Sequence, residues 1–144
     1  MIGILVVSHE PFGSALIRCS RHVYGRLAPQ LAALDVVPDE SPEVALAAGR
    51  ELLARINDGS GAIVLTDVFG ATPSRIALQL AVPDRVRVLA GVNLPVLLKA
   101  LQNRRLPVDE LAELLCASGQ RSICLVDRIG DCDADPDQPG AGHG

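Results

Sequence analysis

The sequence predicts an α/β domain: three layers, with a doubly wound, mostly parallel sheet and helices on both faces. Three observations carry this. Short apolar runs at residues 2–7, 31–37, 61–66, 85–90 and 121–126 have the length and composition of strands buried inside a parallel sheet. Helix-length segments with recognisable starts and stops separate them. The strict alternation of the two, in a chain of 144 residues, is that of one α/β domain.

The first run, residues 2–7, is apolar throughout and ends at Ser8-His9. Residues 12–24 read as a helix closed by Gly25, and residues 31–37 as a second strand. Ser41-Pro42-Glu43 opens the next helix with a capping hydroxyl, a proline in the first turn and an acid near the positive dipole end. Ala45, Ala48, Leu52 and Ile56 give that helix one apolar face, and Asn57-Asp58-Gly59 stops it. Residues 61–66 form a third strand ending at Asp67. Thr72-Pro73 opens a helix by the same logic of cap and proline, running to about Val82. A fourth strand, residues 85–90, precedes Asn93-Leu94-Pro95 and a helix through Asn103. Another helix spans residues 107–118, ended by Gly119, and a short fifth strand spans residues 121–126. Residues 1–126 are thus the expected domain. Residues 127–144, rich in Asp, Pro and Gly, are expected to be a disordered acidic tail.

Composition narrows the function. Hydrophobic residues make up 49% of the chain but aromatics only 2%, too few for stacking single-stranded nucleic acid. The net charge of −4 resides in the tail, which has five acids and one Arg, leaving a neutral body with no basic footprint for a duplex. No apolar run approaches the roughly 18–20 residues of a membrane span, and the start lacks the pattern of a signal peptide. The reading is a cytoplasmic protein with no direct membrane insertion. The four cysteines, without a CxxC pair, read as reduced thiols acting as small hydrophobes. Asp131, Asp133 and Asp135 imitate the start of a calcium loop, but Pro136 and Gly142 stand where that loop needs Gly and Glu. No metal site is expected.

Ligands of open parallel sheets bind beyond the carboxyl ends of the strands. Those ends carry Ser8-His9, Asp67 and Gly91-Val92-Asn93, and no glycine-rich nucleotide fingerprint follows any of them. A lone histidine at a strand end is commonly incidental. Asp67 changes the balance, because its strand end should lie beside His9 on the same edge. A carboxylate accepting the Nδ1–H of an imidazole fixes the tautomer and leaves Nε2 with a free lone pair. Gly70-Ala71-Thr72 then feeds a helix whose unpaired N–H groups and dipole favour an anion, with the Thr72 hydroxyl as a further donor. Nucleophile, orienting acid and anion cradle on one edge spell phosphoryl transfer through His9.

At these residues the chain resembles the IIA component of the mannose-type (mannose–fructose–sorbose) bacterial sugar phosphotransferase system. The resemblance spans roughly residues 1–126 and rests on Ser8-His9, Thr66-Asp67-Val68-Phe69-Gly70-Ala71-Thr72-Pro73 and Ala90-Gly91-Val92-Asn93-Leu94-Pro95. It implies that His9 is the phosphorylated histidine, Asp67 its orienting aspartate and Thr72 a phosphate-contacting hydroxyl. It also implies that the phosphocarrier HPr charges the histidine, that a IIB domain receives the group, and that no metal or organic cofactor takes part. Members are homodimers that exchange their last short strand, which corresponds here to residues 121–126. Glu10 stands where the family often has Gly, placing a carboxylate beside the incoming phosphate. Phe69 replaces the Trp of some members and keeps an apolar wall. No IIB domain follows in this sequence, so the acceptor is expected to be a separate protein.

Two rival readings remain. A receiver-like phosphoaspartate domain would use Asp67, but it needs an acidic pair after the first strand and a lysine after the fifth. Only Glu10 and the mid-helix Lys99 are on offer. A regulatory module that accepts phosphate purely as a signal has the same sequence features as a sugar-transport component.

Overall fold

The computed structural model describes residues 1–127. Four strands and five helices follow one another as β1 (Gly3–His9), α1 (Phe12–Tyr24), β2 (Leu31–Val36), α2 (Pro42–Ile56), β3 (Ala62–Thr66), α3 (Thr72–Gln79), β4 (Val86–Ala90), α4 (Leu94–Gln102) and α5 (Val108–Gln120). The strands form one parallel sheet in the order β2-β1-β3-β4. Because all four point the same way, the loops that follow them, and the N-termini of α1 to α4, gather at a single carboxyl edge.

The pleat divides the core into two. Ile4 and Val6 of β1 join Ile63 and Leu65 of β3 under α1, α4 and α5. Leu5 and Val7 alternate to the other side, with Val64, Ile76 and Ala77, under α2 and α3. Central strands covered on both faces explain why β1 and β3 are apolar runs rather than alternating ones. The same alternation continues to the end of β1. Ser8 faces the α1 layer, and His9 falls on the layer of α2 and α3.

Several sequence expectations need correction. Residues 121–126 form no strand in the single chain; they leave α5 as turns and irregular backbone, with Ile123 and Val126 87–88% exposed. A six-residue segment is a strand only when an edge pairs with it. Helix α5 does not stop at Gly119. A Cβ there would sit 3.1 Å from Val96 Cγ2, so this glycine lets α5 approach α4 rather than ending the helix. Helix α3 ends at Gln79, short of Val82, which instead bridges to Val86. The Ser41 hydroxyl donates to the Glu43 carboxylate (2.6 Å) and caps no backbone N–H. Cys19 and Cys116 are free, as expected, but exposed rather than packed as small hydrophobes, and Cys124 is disulfide-bonded, against the expectation of reduced thiols. The tail reading for residues 127–144 lies, apart from Asp127, outside the described residues.

Candidate functional site

Two of the sequence-predicted residues, His9 and Asp67, belong to two neighbouring strand ends, and parallel pairing of β1 with β3 in the register Val7↔Thr66 brings those ends side by side. Asp67, the residue after β3, lies against His9, the last residue of β1. Both the backbone N–H (3.0 Å) and ring Nδ1 (2.7 Å) of His9 meet Asp67 Oδ2. The Val68 N–H donates to Oδ1 at 2.8 Å. Both oxygens of the carboxylate are thereby fixed.

Burial pushes the Asp67 carboxyl upward, but the His9 backbone N–H, the His9 ring, the Val68 N–H and the charge of the ring outweigh it. The net result is a pKa held below the usual carboxylate value. An ionised carboxylate only accepts, so Nδ1 carries a proton, and in the neutral ring Nε2 is the nitrogen with the lone pair. The His9 side chain is 53% exposed. Its free nitrogen is reachable from solvent while its tautomer is set from below.

The third group begins three residues on. Gly70 adopts φ +95°, a left-handed conformation natural to glycine, and turns the chain from the β3 end into α3. Ala71 is the N-cap of α3 and supplies no side-chain acceptor; no acid occupies the first turn. Thr72 is therefore the first helical residue, not the cap. Its exposed side chain makes no hydrogen bond among the described residues. The hydroxyl that organises the turn is one that sequence reasoning missed. Ser74 Oγ accepts from the Gly70 N–H (2.9 Å) and donates to the Ala71 carbonyl (2.8 Å). The available signal was a second small hydroxyl in the first turn, directly after Thr72-Pro73.

Among the described residues no strand pairs with the outer side of β4, the sheet edge next to this loop. A cavity of about 280 Å³ lies on its α3 side, bordered by Phe69, Ser74, Arg75, Leu78 and Val88. A second, of about 450 Å³, lies on the α5 side, bordered by Leu89, Val92, Cys116 and Gln120. Phe69 is 84% exposed at the mouth of the first. Among the described residues no group of three or more His, Cys, Asp or Glu is placed to hold a metal ion, and no helix is long and apolar enough to cross a membrane.

Fold and site define a class: a three-layer α/β domain whose edge histidine is held by a carboxylate beside a helix N-terminus. A family model described as "PTS system fructose IIA component" matches residues 3–115. The fructose-specific EIIA component of the PTS of Bacillus subtilis (strain 168) is 31% identical over 125 residues, which cover 85% of each chain. The mannose-specific EIIAB component of Escherichia coli (strain K12) is 26% identical over 125 residues, covering 85% of this chain but 38% of that protein. The chain thus spans well under half of that relative. Among solved structures, the mannose/sorbose specific IIA subunit from Enterococcus faecalis superposes with a TM-score of 0.78 at 25% identity, covering 88% of this chain and 96% of that one. The EIIA component from Streptococcus agalactiae shares the fold, with a TM-score of 0.78 at 23% identity, covering 88% and 98%. The protein belongs to the mannose-type IIA family of the sugar phosphotransferase system, a family of phosphotransfer components.

Proposed function

We propose that the protein carries a phosphoryl group on His9 Nε2, taking it from HPr and passing it to a IIB acceptor. The observation that supports this most directly is the 2.7 Å contact between His9 Nδ1 and Asp67 Oδ2. In the loading step the Nε2 lone pair attacks phosphorus and an N–P bond forms. The bond from phosphorus to the donor breaks, and its electron pair leaves with the donor. The imidazole becomes cationic, and the Asp67 carboxylate beside it stabilises that charge. The phosphoryl oxygens turn toward Gly70, Ala71 and Thr72, where the open end of α3 offers N–H groups and a favourable dipole. Release to the acceptor is the same displacement in reverse.

The functional unit in this reading is residues 1–126 assembled as a homodimer, with residues 121–126 of each chain laid along β4 of the other. The edge of β4, with which no further strand pairs among the described residues, and the exposed Ile123, Leu125 and Val126 support it. Incubation with phosphoenolpyruvate and the general phosphotransferase proteins should place one acid-labile phosphate on the wild type and none on His9→Ala. Labelling that survives in His9→Ala defeats the proposal.

A further inference from the structure

Four helices begin at the carboxyl edge, and each N-terminus presents unpaired N–H groups and the positive end of a dipole. They do not remain equally available. Helix α2 has Glu43 in its first turn. Helix α4 is closed by Asn93, whose Oδ1 accepts the Val96 N–H at 2.9 Å. Helix α3 has neither a side-chain cap nor an acid in its first turn.

Helix α1 is the instructive case, because it starts only three residues after His9. Its N-cap is Pro11, which has no side-chain acceptor, and its own first turn holds no acid. By local sequence it should be as open as α3. It is closed from outside: Asp35, on β2, reaches across and accepts the Ser14 N–H at 3.1 Å. That N–H is the third of the helix, one of the two that an N-cap side chain ordinarily takes. The register Ser8↔Asp35 puts this carboxylate beside the residue before His9. Gly13 makes the approach possible. A Cβ there would lie 2.8 Å from Ser8 Oγ and 3.0 Å from Asp35 Oδ1. The Ser8 hydroxyl beside it is fully buried and makes no hydrogen bond among the described residues, and the Ser14 N–H goes to Asp35.

We infer that Asp35 is a positioning residue. It shuts the α1 N-terminus to anions and leaves α3 as the open helix end on the edge that holds His9, fixing the side to which a phosphoryl group turns. This deepens the reading of His9 as the phosphoryl carrier and rests on it. The inference requires Asp35 to act through the Ser14 N–H, so a variant that keeps the acceptor should rescue one that removes it.

The test uses inorganic phosphate and the unphosphorylated full-length chain, followed by amide NMR, so it reads anion placement independently of His9 labelling. In the wild type and in Asp35→Asn, which retains Oδ1, phosphate should shift the amides of Thr72 and Ser74 and leave those of Phe12, Gly13 and Ser14 unmoved. In Asp35→Ala the amides of residues 12–14 should respond as well, and the melting temperature should fall by about 3–5 °C for loss of a cap. His9 labelling in Asp35→Ala should slow by roughly threefold to tenfold. A wild-type response as large at residues 12–14 as at Thr72 and Ser74, or none at α3, overturns the inference even if Asp35→Ala fails to fold. So does an Asp35→Ala protein whose response stays confined to α3. Failure of His9 to be labelled at all, with the amide pattern as expected, counts against the carrier reading instead.

Discussion

At the scale of single residues, Asp67 is the group on which most depends, because it binds His9 twice and Val68 once. Asp67→Asn keeps the size but offers Nδ1 an N–H donor, which favours the wrong tautomer. Loss of one charge-assisted hydrogen bond, about 1.5–3 kcal/mol, should slow transfer by roughly one to two orders of magnitude. An unchanged labelling rate would show that Asp67 does not orient the ring. The same residue sets a pH dependence. Its folded pKa lies below the ordinary value, so its contribution to stability is complete above about pH 4 and is lost as pH falls through the lowered folded value. The melting-temperature margin of wild type over Asp67→Asn should therefore shrink between pH 6 and pH 3. A margin that widens on acidification contradicts the assignment. That His9 and Asp67 share one edge was legible in the sequence, because every strand of a parallel sheet ends on the same side; that they touch depends on β1 pairing directly with β3. The part that Ser74 plays in the turn was not legible. A one-residue shift in where a helix starts decides which hydroxyl faces the backbone, and helix boundaries are the least determined feature of a sequence.

At the scale of elements, the turn into α3 is held by Ser74 rather than by a cap. Ser74→Ala leaves the Gly70 N–H without its partner in a partly buried turn. This should cost about 1 kcal/mol, seen as a fall of a few degrees in melting temperature, together with slower labelling of His9. Labelling at the wild-type rate would separate this hydroxyl from function. The order of strands and helices up to residue 102 followed from apolar runs and starts such as Pro42 and Pro95, all of which are local signals. Residues 121–126 behave differently. Their apolar composition marks them for a sheet edge, but whether they are a strand depends on what pairs with them, and that is not encoded locally. In the proposed exchanged-strand assembly, removing residues 121 onward should give a destabilised or aggregating protein, because the edge of β4 loses its partner. A soluble truncated monomer with unchanged melting temperature would refute the exchanged strand.

For the whole molecule, the expected assembly is a closed pair. Light scattering at micromolar concentration should report about twice the 15.1 kDa of one chain. A monomer would mean that the edge of β4 is left open or is covered from within the same chain. Gly119 shows how such large-scale features escape a sequence reading. A glycine near a helix end looks like a stop, and only the closeness of α4 reveals it as a contact.

The half-exposed ring of His9 also has a kinetic consequence. In the carrier role proposed above, Asp67 occupies Nδ1, so a donor and an acceptor both approach the ring at Nε2. They cannot be bound at one His9 together. Turnover then follows double-displacement kinetics, with parallel lines in reciprocal plots when one partner is varied at fixed levels of the other. Each unphosphorylated partner, added in excess, competes with the other for the same nitrogen.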